Sequence, residues 1–257
     1  WDKTFILTLT TVVFGCIIFA STTDNNRIIL NLGFGFLTFL LRLYYQDKSS
    51  RTTTPLFLVA AILEAGGLLT LLSQYTSILM PTRGVLIVSL ILFLQHGIAF
   101  ISTRLTVLAF ITLICLYSFF LAIFELLGIP ERLKWLVLSS SLLAVSSFIN
   151  HSKYQSIAGI LFFISSLTLL SVTFDIVKDQ PYEILYLGLA CGLIYMAIIE
   201  SSRVLLFMAS LATLGYILYF SSQHFPHAVG WPITLIVIGL LLVGVSGLVI
   251  KLNKKYM

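Results

Sequence analysis

Charged residues are scarce in this sequence: they make up 10% of its 257 residues, whereas soluble globular proteins contain about 25%. Hydrophobic residues make up 59%, and the mean hydropathy is +1.06. A chain of this composition has too little polar surface to cover itself in water. The scarcity of charge excludes an ordinary water-soluble protein and indicates that lipid surrounds the chain. The net charge of +5 does not indicate nucleic-acid binding, because in a membrane protein the placement of Lys and Arg matters more than their sum.

Cysteine is also rare, and its three residues, Cys16, Cys115 and Cys191, lie in three separate apolar runs. None has the C-x-x-C spacing of a metal site, so we expect neither a disulfide framework nor a bound metal. A Walker loop, an H-E-x-x-H motif and a G-x-S-x-G elbow are all absent from the sequence. We therefore predict a protein that is not an enzyme and that needs no cofactor.

Long apolar runs, by contrast, are abundant. A transmembrane helix needs about 17–25 predominantly apolar residues, and ten segments are candidates: 4–20, 28–45, 55–75, 84–102, 105–127, 133–149, 156–177, 184–200, 204–222 and 233–250. Several of them are joined by loops of only a few residues, which predicts antiparallel hairpins. In hydrocarbon a helix satisfies its own backbone polar groups. The sequence thus predicts an all-α polytopic integral membrane protein. Because it begins with Trp1 rather than Met, we allow for missing upstream residues.

A short turn that contains Ser or Thr and a basic residue recurs along the chain. Its basic residues are Arg51, Arg104, Lys153 and Arg203, which are 53, 49 and 50 positions apart. On the opposite side, prolines recur at positions 81, 130, 181 and 232. We interpret these as four copies of one hairpin, at 28–80, 81–129, 130–180 and 181–231, within a single transmembrane domain 1–257. Helices 4–20 and 233–250 flank the copies. The alternative is chance recurrence among spans of equal length.

The distribution of basic residues predicts the orientation. The side of the basic turns carries ten of them: Lys3, Arg42, Lys48, Arg51, Arg104, Lys153, Arg203, Lys251, Lys254 and Lys255. The other side carries five: Arg27, Arg83, Arg132, Lys134 and Lys178. Basic residues in short loops mark the cytoplasmic face. We therefore expect both ends of the chain in the cytoplasm, in a bacterial inner membrane, with lipids as its partners.

One carboxylate lies near the middle of a predicted span. Glu64 is surrounded by small residues in "VAAILEAGGLLTLL", and the next span carries Gln95 and His96 at a similar depth. Ionisable groups at such depth are costly and are functional candidates by default. A Glu64–His96 pair with Gln95 nearby could bind and pass on a proton or cation. The alternative is a static interhelical hydrogen bond.

Other polar and small residues have structural interpretations. In "IESSRVLL" we expect Ser201 and Ser202 to cap the next helix, and Glu200 to pair with Arg203. The serines of span 133–149 are expected to bond carbonyls of their own helix. In span 184–200, the Gly188-x-x-x-Gly192 motif predicts close helix packing.

The segment 201–257, with two spans joined by a short loop, a Gly-rich last helix and a basic tail, resembles the end of a family of bacterial predicted membrane proteins. That family is of the domain-of-unknown-function type. The resemblance implies a bacterial inner-membrane protein and does not indicate any particular activity. Ten spans with cytoplasmic ends also resemble the topology of the drug/metabolite transporter superfamily, although parallel hairpin repeats differ from its inverted halves.

The leading function hypothesis is a transporter or permease for a small solute or ion, with Glu64, Gln95 and His96 as its polar centre. The competing hypothesis is a non-catalytic membrane scaffold or accessory subunit that binds other membrane protein subunits. A membrane-embedded enzyme is a third and less favoured class. Transport predicts a water-accessible cavity that reaches Glu64. A scaffold predicts that Glu64 is sealed between helices.

Overall fold

The computed structural model describes residues 24–44, 54–75 and 81–224, together with Gly239 and Gly244. Within these residues the chain is helical and contains no strand. The helices are α1 (Asp24–Tyr44), α2 (Thr54–Tyr75), α3 (Pro81–Thr103), α4 (Thr106–Leu126), α5 (Glu131–Asn150), α6 (Gln155–Val177), α7 (Leu185–Ile199) and α8 (Arg203–His224). The all-α prediction is confirmed for this part of the chain. The predicted spans 4–20 and 233–250 lie outside it, apart from the two glycines.

Five of the described helices, α3, α4, α5, α6 and α8, are long and apolar enough to cross a membrane. Shorter apolar segments lie in the other three: Asn31–Leu40 in α1, Phe57–Ser73 in α2 and Leu185–Ile199 in α7. Large apolar side chains point outward, for example Ile98, which is 68% exposed, and Phe207, which is 62% exposed. Such exposure fits lipid as the surrounding solvent. These features are those of a helical multi-pass membrane protein.

The chain divides into two compact units, Trp1–Ile129 and Pro130–Met257. In the described part, the first unit contains α1 to α4 and the second contains α5 to α8. Consecutive helices pack most closely in pairs: α1 with α2, α3 with α4, α5 with α6, and α7 with α8. The division between the units coincides with the predicted border between the second and third hairpins.

The turn between α7 and α8 shows how the serines of "IESSRVLL" are used. Ser202 caps α8 as predicted, because its Oγ accepts the Leu205 N–H at 3.3 Å. Ser201 instead closes α7, with a left-handed φ of 51°. Its N–H donates to the Ile198 carbonyl at 3.3 Å, and the Ser202 N–H donates to the Ala197 carbonyl at 3.0 Å. These two bonds form a Schellman motif in which Ser201 takes the position usually held by glycine.

Two glycines allow α1 and α2 to approach each other closely. A Cβ added at Gly35 of α1 would lie 2.8 Å from the Glu64 Cγ and 3.1 Å from the Glu64 backbone nitrogen. A Cβ added at Gly67 of α2 would lie 2.9 Å from the Leu32 Cγ. Because neither position has room for a side chain, the two backbones meet directly at the level of Glu64.

The close packing predicted at Gly188 and Gly192 is not found in the described structure. Both glycines are exposed on α7, and a Cβ at either would meet nothing within 4 Å. The prediction was wrong here because the four-residue spacing shows that two glycines share a helix face. It does not show whether another helix covers that face.

We predict that Gly35→Ala lowers the stability of the protein by about 1–3 kcal/mol, since the added methyl group would overpack the contact with Glu64. Gly33→Ala is the matched control on the same helix, because Gly33 is exposed and has nothing within 4 Å of its Cβ position. The control should be neutral or stabilising by up to about 1 kcal/mol. Thermal unfolding in detergent measures both, and equal midpoints for the two variants would contradict the close approach.

Candidate functional site

Glu64 lies in the middle of α2, between α1 and α3, and is only 3% exposed. Its Cγ faces Gly35 of α1, where the missing side chain leaves room for it. On the other side, the Gln95 Nε2 of α3 donates a hydrogen bond of 2.9 Å to the Glu64 Oε2. The structure therefore brings together Glu64 and Gln95, two of the three residues predicted to form the polar centre.

His96 is fully buried but does not make the predicted pair with Glu64. Its Nδ1 lies 3.0 Å from the Leu92 carbonyl oxygen of its own helix, and its ring meets Phe39 of α1 edge-on, with centroids 5.4 Å apart. Consecutive residues on a helix point about 100° apart, so Gln95 and His96 cannot both face Glu64 directly. Since a carbonyl oxygen only accepts, Nδ1 carries the hydrogen, and the Nε2 of the neutral ring has a free lone pair.

Three buried polar atoms of α1, α2 and α3 have no hydrogen-bond partner among the described residues. They are the Glu64 Oε1, the His96 Nε2 and the Asn31 Oδ1. Asn31 is 2% exposed and lies on the buried face of α1. All three atoms can accept a hydrogen bond. Buried polar atoms are nearly always hydrogen-bonded, so three acceptors without a donor distinguish this region.

An apolar cavity of about 330 Å³ lies between α2, α3 and α4. Ala61 and Ala65 contribute to its wall, but Glu64, which lies between them in the sequence, does not. Among the described residues that line it, Ser89 and Ser118 carry hydroxyl groups, and the Ser89 hydroxyl donates to the Leu86 carbonyl of its own helix. The water-accessible cavity that transport predicts at Glu64 is therefore not provided by this space.

A second polar cluster lies in the other unit, around Glu200 at the end of α7. Glu200 is 8% exposed, and its carboxylate accepts hydrogen bonds from the Ser147 Oγ and the Asn150 Nδ2 of α5. The Asn150 amide also donates to the Glu200 backbone carbonyl, at 2.8 Å. The His151 Nδ1 lies 3.5 Å from the second carboxylate oxygen. Both carboxylate oxygens thus have partners.

The sequence did not predict this cluster. The prediction for Glu200 was a local pair with Arg203, whereas the structure buries its carboxylate against the last turn of α5. Ser147 also departs from the prediction for the α5 serines, since its hydroxyl bonds Glu200. The other four bond carbonyls of their own helix as expected: Ser139, Ser140, Ser141 and Ser146. Contacts between residues 50 positions apart leave no local signal in the sequence.

The residues of the predicted basic turns lie at the surface where they are described. Arg104 is exposed and has a left-handed φ of 54°. Lys153 is exposed, with its Nζ 5.2 Å from the centre of the Tyr154 ring, and Arg203 is the exposed first residue of α8. Arg51 lies outside the described residues. Within the described part, no group of three or more His, Cys, Asp or Glu residues could hold a metal ion.

We predict that Glu200→Ala and Asn150→Ala each destabilise the protein by about 1–3 kcal/mol, because each leaves buried polar partners unsatisfied. The two losses should not add: a double-mutant cycle should give a coupling energy of about 0.5–3 kcal/mol. Ser140→Ala serves as control, since this exposed hydroxyl bonds only the Val137 carbonyl of its own helix, and should change stability by less than about 0.5 kcal/mol. Unfolding in mixed micelles measures these values, and simple additivity would rule out the contact.

Comparison with known protein families, curated proteins and solved structures finds no significant match to this chain. The resemblance of residues 201–257 to bacterial predicted membrane proteins therefore stays an expectation, as does the likeness in topology to drug/metabolite transporters. Inferences about function rest on the geometry of the two polar clusters.

Proposed function

We propose that this chain is a membrane transporter or permease that moves a proton or another small cation, with Glu64, Gln95 and His96 as its polar centre. The observation that supports this proposal is the half-satisfied carboxylate. One oxygen of Glu64 is fixed by Gln95, and the other has no partner in the described structure. A buried carboxylate in this state is costly unless a proton or cation joins it.

The contrast between Glu64 and Glu200 supports a functional role for Glu64. Glu200 has partners for both oxygens, as a purely structural contact requires. Glu64 belongs to a polar group with three unpartnered acceptors, and such a group stabilises a fold less than an apolar core does. A static interhelical bond therefore explains Glu200 well and explains Glu64 poorly.

The burial of Glu64 limits what can reach it. The carboxylate is sealed between α1 and α3, and the neighbouring cavity has an apolar wall that does not include it. A bulky polar solute does not fit such a position, whereas a proton or small ion needs only a narrow polar route. For this reason we narrow the proposal from solutes in general to a small cation.

A second candidate function is a non-catalytic scaffold or accessory subunit. Two observations favour it: Glu64 is sealed, and Gly188 and Gly192 present an exposed face of α7 on which another helix could pack closely. Helix interfaces in membranes are enriched in small residues. A partner subunit that buries this face would support the second candidate.

The number of membrane spans and the orientation of the chain are also proposed. We propose ten spans built from four hairpins in a bacterial inner membrane, with both ends of the chain and the turns at Arg51, Arg104, Lys153 and Arg203 in the cytoplasm. The basic residues concentrated on that side support this orientation. The 15-residue α7 is the shortest candidate and needs the turns that precede it, at 181–184, to complete a span of about 17 residues.

We expect protons to enter lipid vesicles that contain the protein when a negative internal potential is imposed. A pH-sensitive dye enclosed in the vesicles measures the rate of entry. Glu64→Gln should reduce the rate to that of protein-free vesicles, since the amide cannot take up a proton. Glu125→Gln is the control, because this carboxylate is exposed at the end of α4 and should leave the rate unchanged. A Glu64→Gln protein that retains the full rate would contradict the proposed function.

The orientation is tested by single cysteines in a protein whose Cys16, Cys115 and Cys191 have been replaced. Ser152 and Gln180 are exposed in turns at opposite ends of α6. In intact bacterial cells, a membrane-impermeant maleimide should label Gln180→Cys at once and Ser152→Cys only after permeabilisation. The reverse pattern would show that the basic turns face outward.

A further inference from the structure

The buried face of α1 connects Asn31 with the polar centre. Asn31, Gly35 and Phe39 are four residues apart, so they lie on the same side of the helix. All three are buried. Thr38 is also buried on this side, but its hydroxyl is satisfied by the Gly35 carbonyl at 2.7 Å. Asn31, by contrast, is a polar side chain on this face whose oxygen has no hydrogen-bond partner in the described structure.

The contacts of this face give an order along α1 to the three residues that carry the unpartnered acceptors. Gly35 meets Glu64 of α2, and Phe39, one turn further along, meets His96 of α3. Asn31 lies one turn before Gly35. Because four residues of helix rise about 6 Å, the positions on α1 of Asn31, of the Glu64 contact and of the His96 contact follow one another in steps of about that size. We call the Asn31 Oδ1, the Glu64 Oε1 and the His96 Nε2 the acceptor row.

We propose that the acceptor row is a proton path, and that the ion bound at Glu64 is a proton rather than a metal cation; this inference rests on the function proposed above. A metal cation needs its ligand atoms around one point, at about 2.0–2.6 Å. Within the described residues, no group of three or more His, Cys, Asp or Glu side chains could hold a metal ion, and a single carboxylate is present among the three acceptors. The acceptors suit a proton, which moves from one acceptor to the next through hydrogen-bonded water.

Each member of the acceptor row has a distinct task. The Glu64 Oε1 takes a proton and becomes a neutral carboxylic acid, while Gln95 holds the Oε2. On release, the Oε1–H bond breaks as a bridging water takes this proton and passes one of its own to the His96 Nε2. The imidazolium then loses the Nε2 proton to a second water, while its Nδ1–H stays bonded to the Leu92 carbonyl. Asn31 does not titrate, and its oxygen accepts a hydrogen bond from the water that supplies Glu64 from the other side.

The groups that face Glu64 from the helices packed around it are few. From α3 it is Gln95, and from α1 it is Gly35, which carries no side chain. His96, the next residue of α3, packs against Phe39 of α1. From α4, the buried thiol of Cys115 lines the apolar cavity, whose wall does not include Glu64. His96 is therefore the titratable neighbour among the described side chains that can exchange a proton with Glu64.

The test uses dicyclohexylcarbodiimide, an apolar reagent that adds protonated carboxyl groups across its C=N bond, the acid proton passing to nitrogen. The full chain in lipid vesicles is treated at mildly acidic and at alkaline pH, with and without excess sodium chloride. Mass spectrometry locates the adduct. We expect labelling at Glu64 that falls as the pH rises and that sodium does not reduce. Protection by sodium, or an unlabelled Glu64, would overturn the inference.

Variants of Asn31 test the row itself, with the dye-filled vesicles as readout. Asn31→Leu removes the acceptor at similar size and should slow proton entry at least about tenfold, while Glu64 is still labelled. Asn31→Asp keeps an acceptor oxygen and should restore entry. An unchanged rate in Asn31→Leu would exclude Asn31 from the path. A different result would separate this inference from the proposed function. If the unaltered protein admits no protons but Glu64 is labelled independently of sodium, Glu64 binds a proton and the proposed transport function is overturned.

Discussion

The close approach of α1 and α2 at Gly35 is the constraint on which the polar centre depends. With no side chain at Gly35, the Glu64 side chain fits against the backbone of α1 and reaches Gln95 of α3. A larger residue at position 35 would separate the helices and open the carboxylate to lipid. The seal around Glu64 follows from this contact, and the seal in turn limits what the carboxylate can bind.

The two buried carboxylates, Glu64 and Glu200, differ in the number of hydrogen-bond donors around them. Glu200 accepts hydrogen bonds from Ser147 and Asn150 in the last turn of α5, so its contact holds α5 and α7 of the second unit together. Among the described residues, the Glu64 carboxylate has one hydrogen-bond donor, Gln95. The first arrangement is complete without any further group. The second becomes less costly when a proton joins it, which makes it suitable for uptake and release.

Hydropathy and turn residues predicted the helices well where those signals are strong. Predicted spans 84–102 and 156–177 agree with Pro81–Thr103 and Gln155–Val177 to within three residues at each end. Contacts between helices were predicted less well, because they depend on which faces meet. Gln95 rather than His96 reaches Glu64, a difference of one residue in register. The burial of Asn31 and its unpartnered oxygen were not predicted, because they depend on which face of α1 is covered by other helices.

Infrared difference spectroscopy of the protein in lipid tests the central claim most directly, because it observes the Glu64 carboxyl group itself. We predict a carbonyl stretching band of a protonated carboxylic acid that loses intensity as the pH is raised and that is missing from Glu64→Gln. Glu200→Gln should keep this band. Persistence of the band in Glu64→Gln, or a carboxylate signal from Glu64 at every pH, would contradict a proton-binding site at this position.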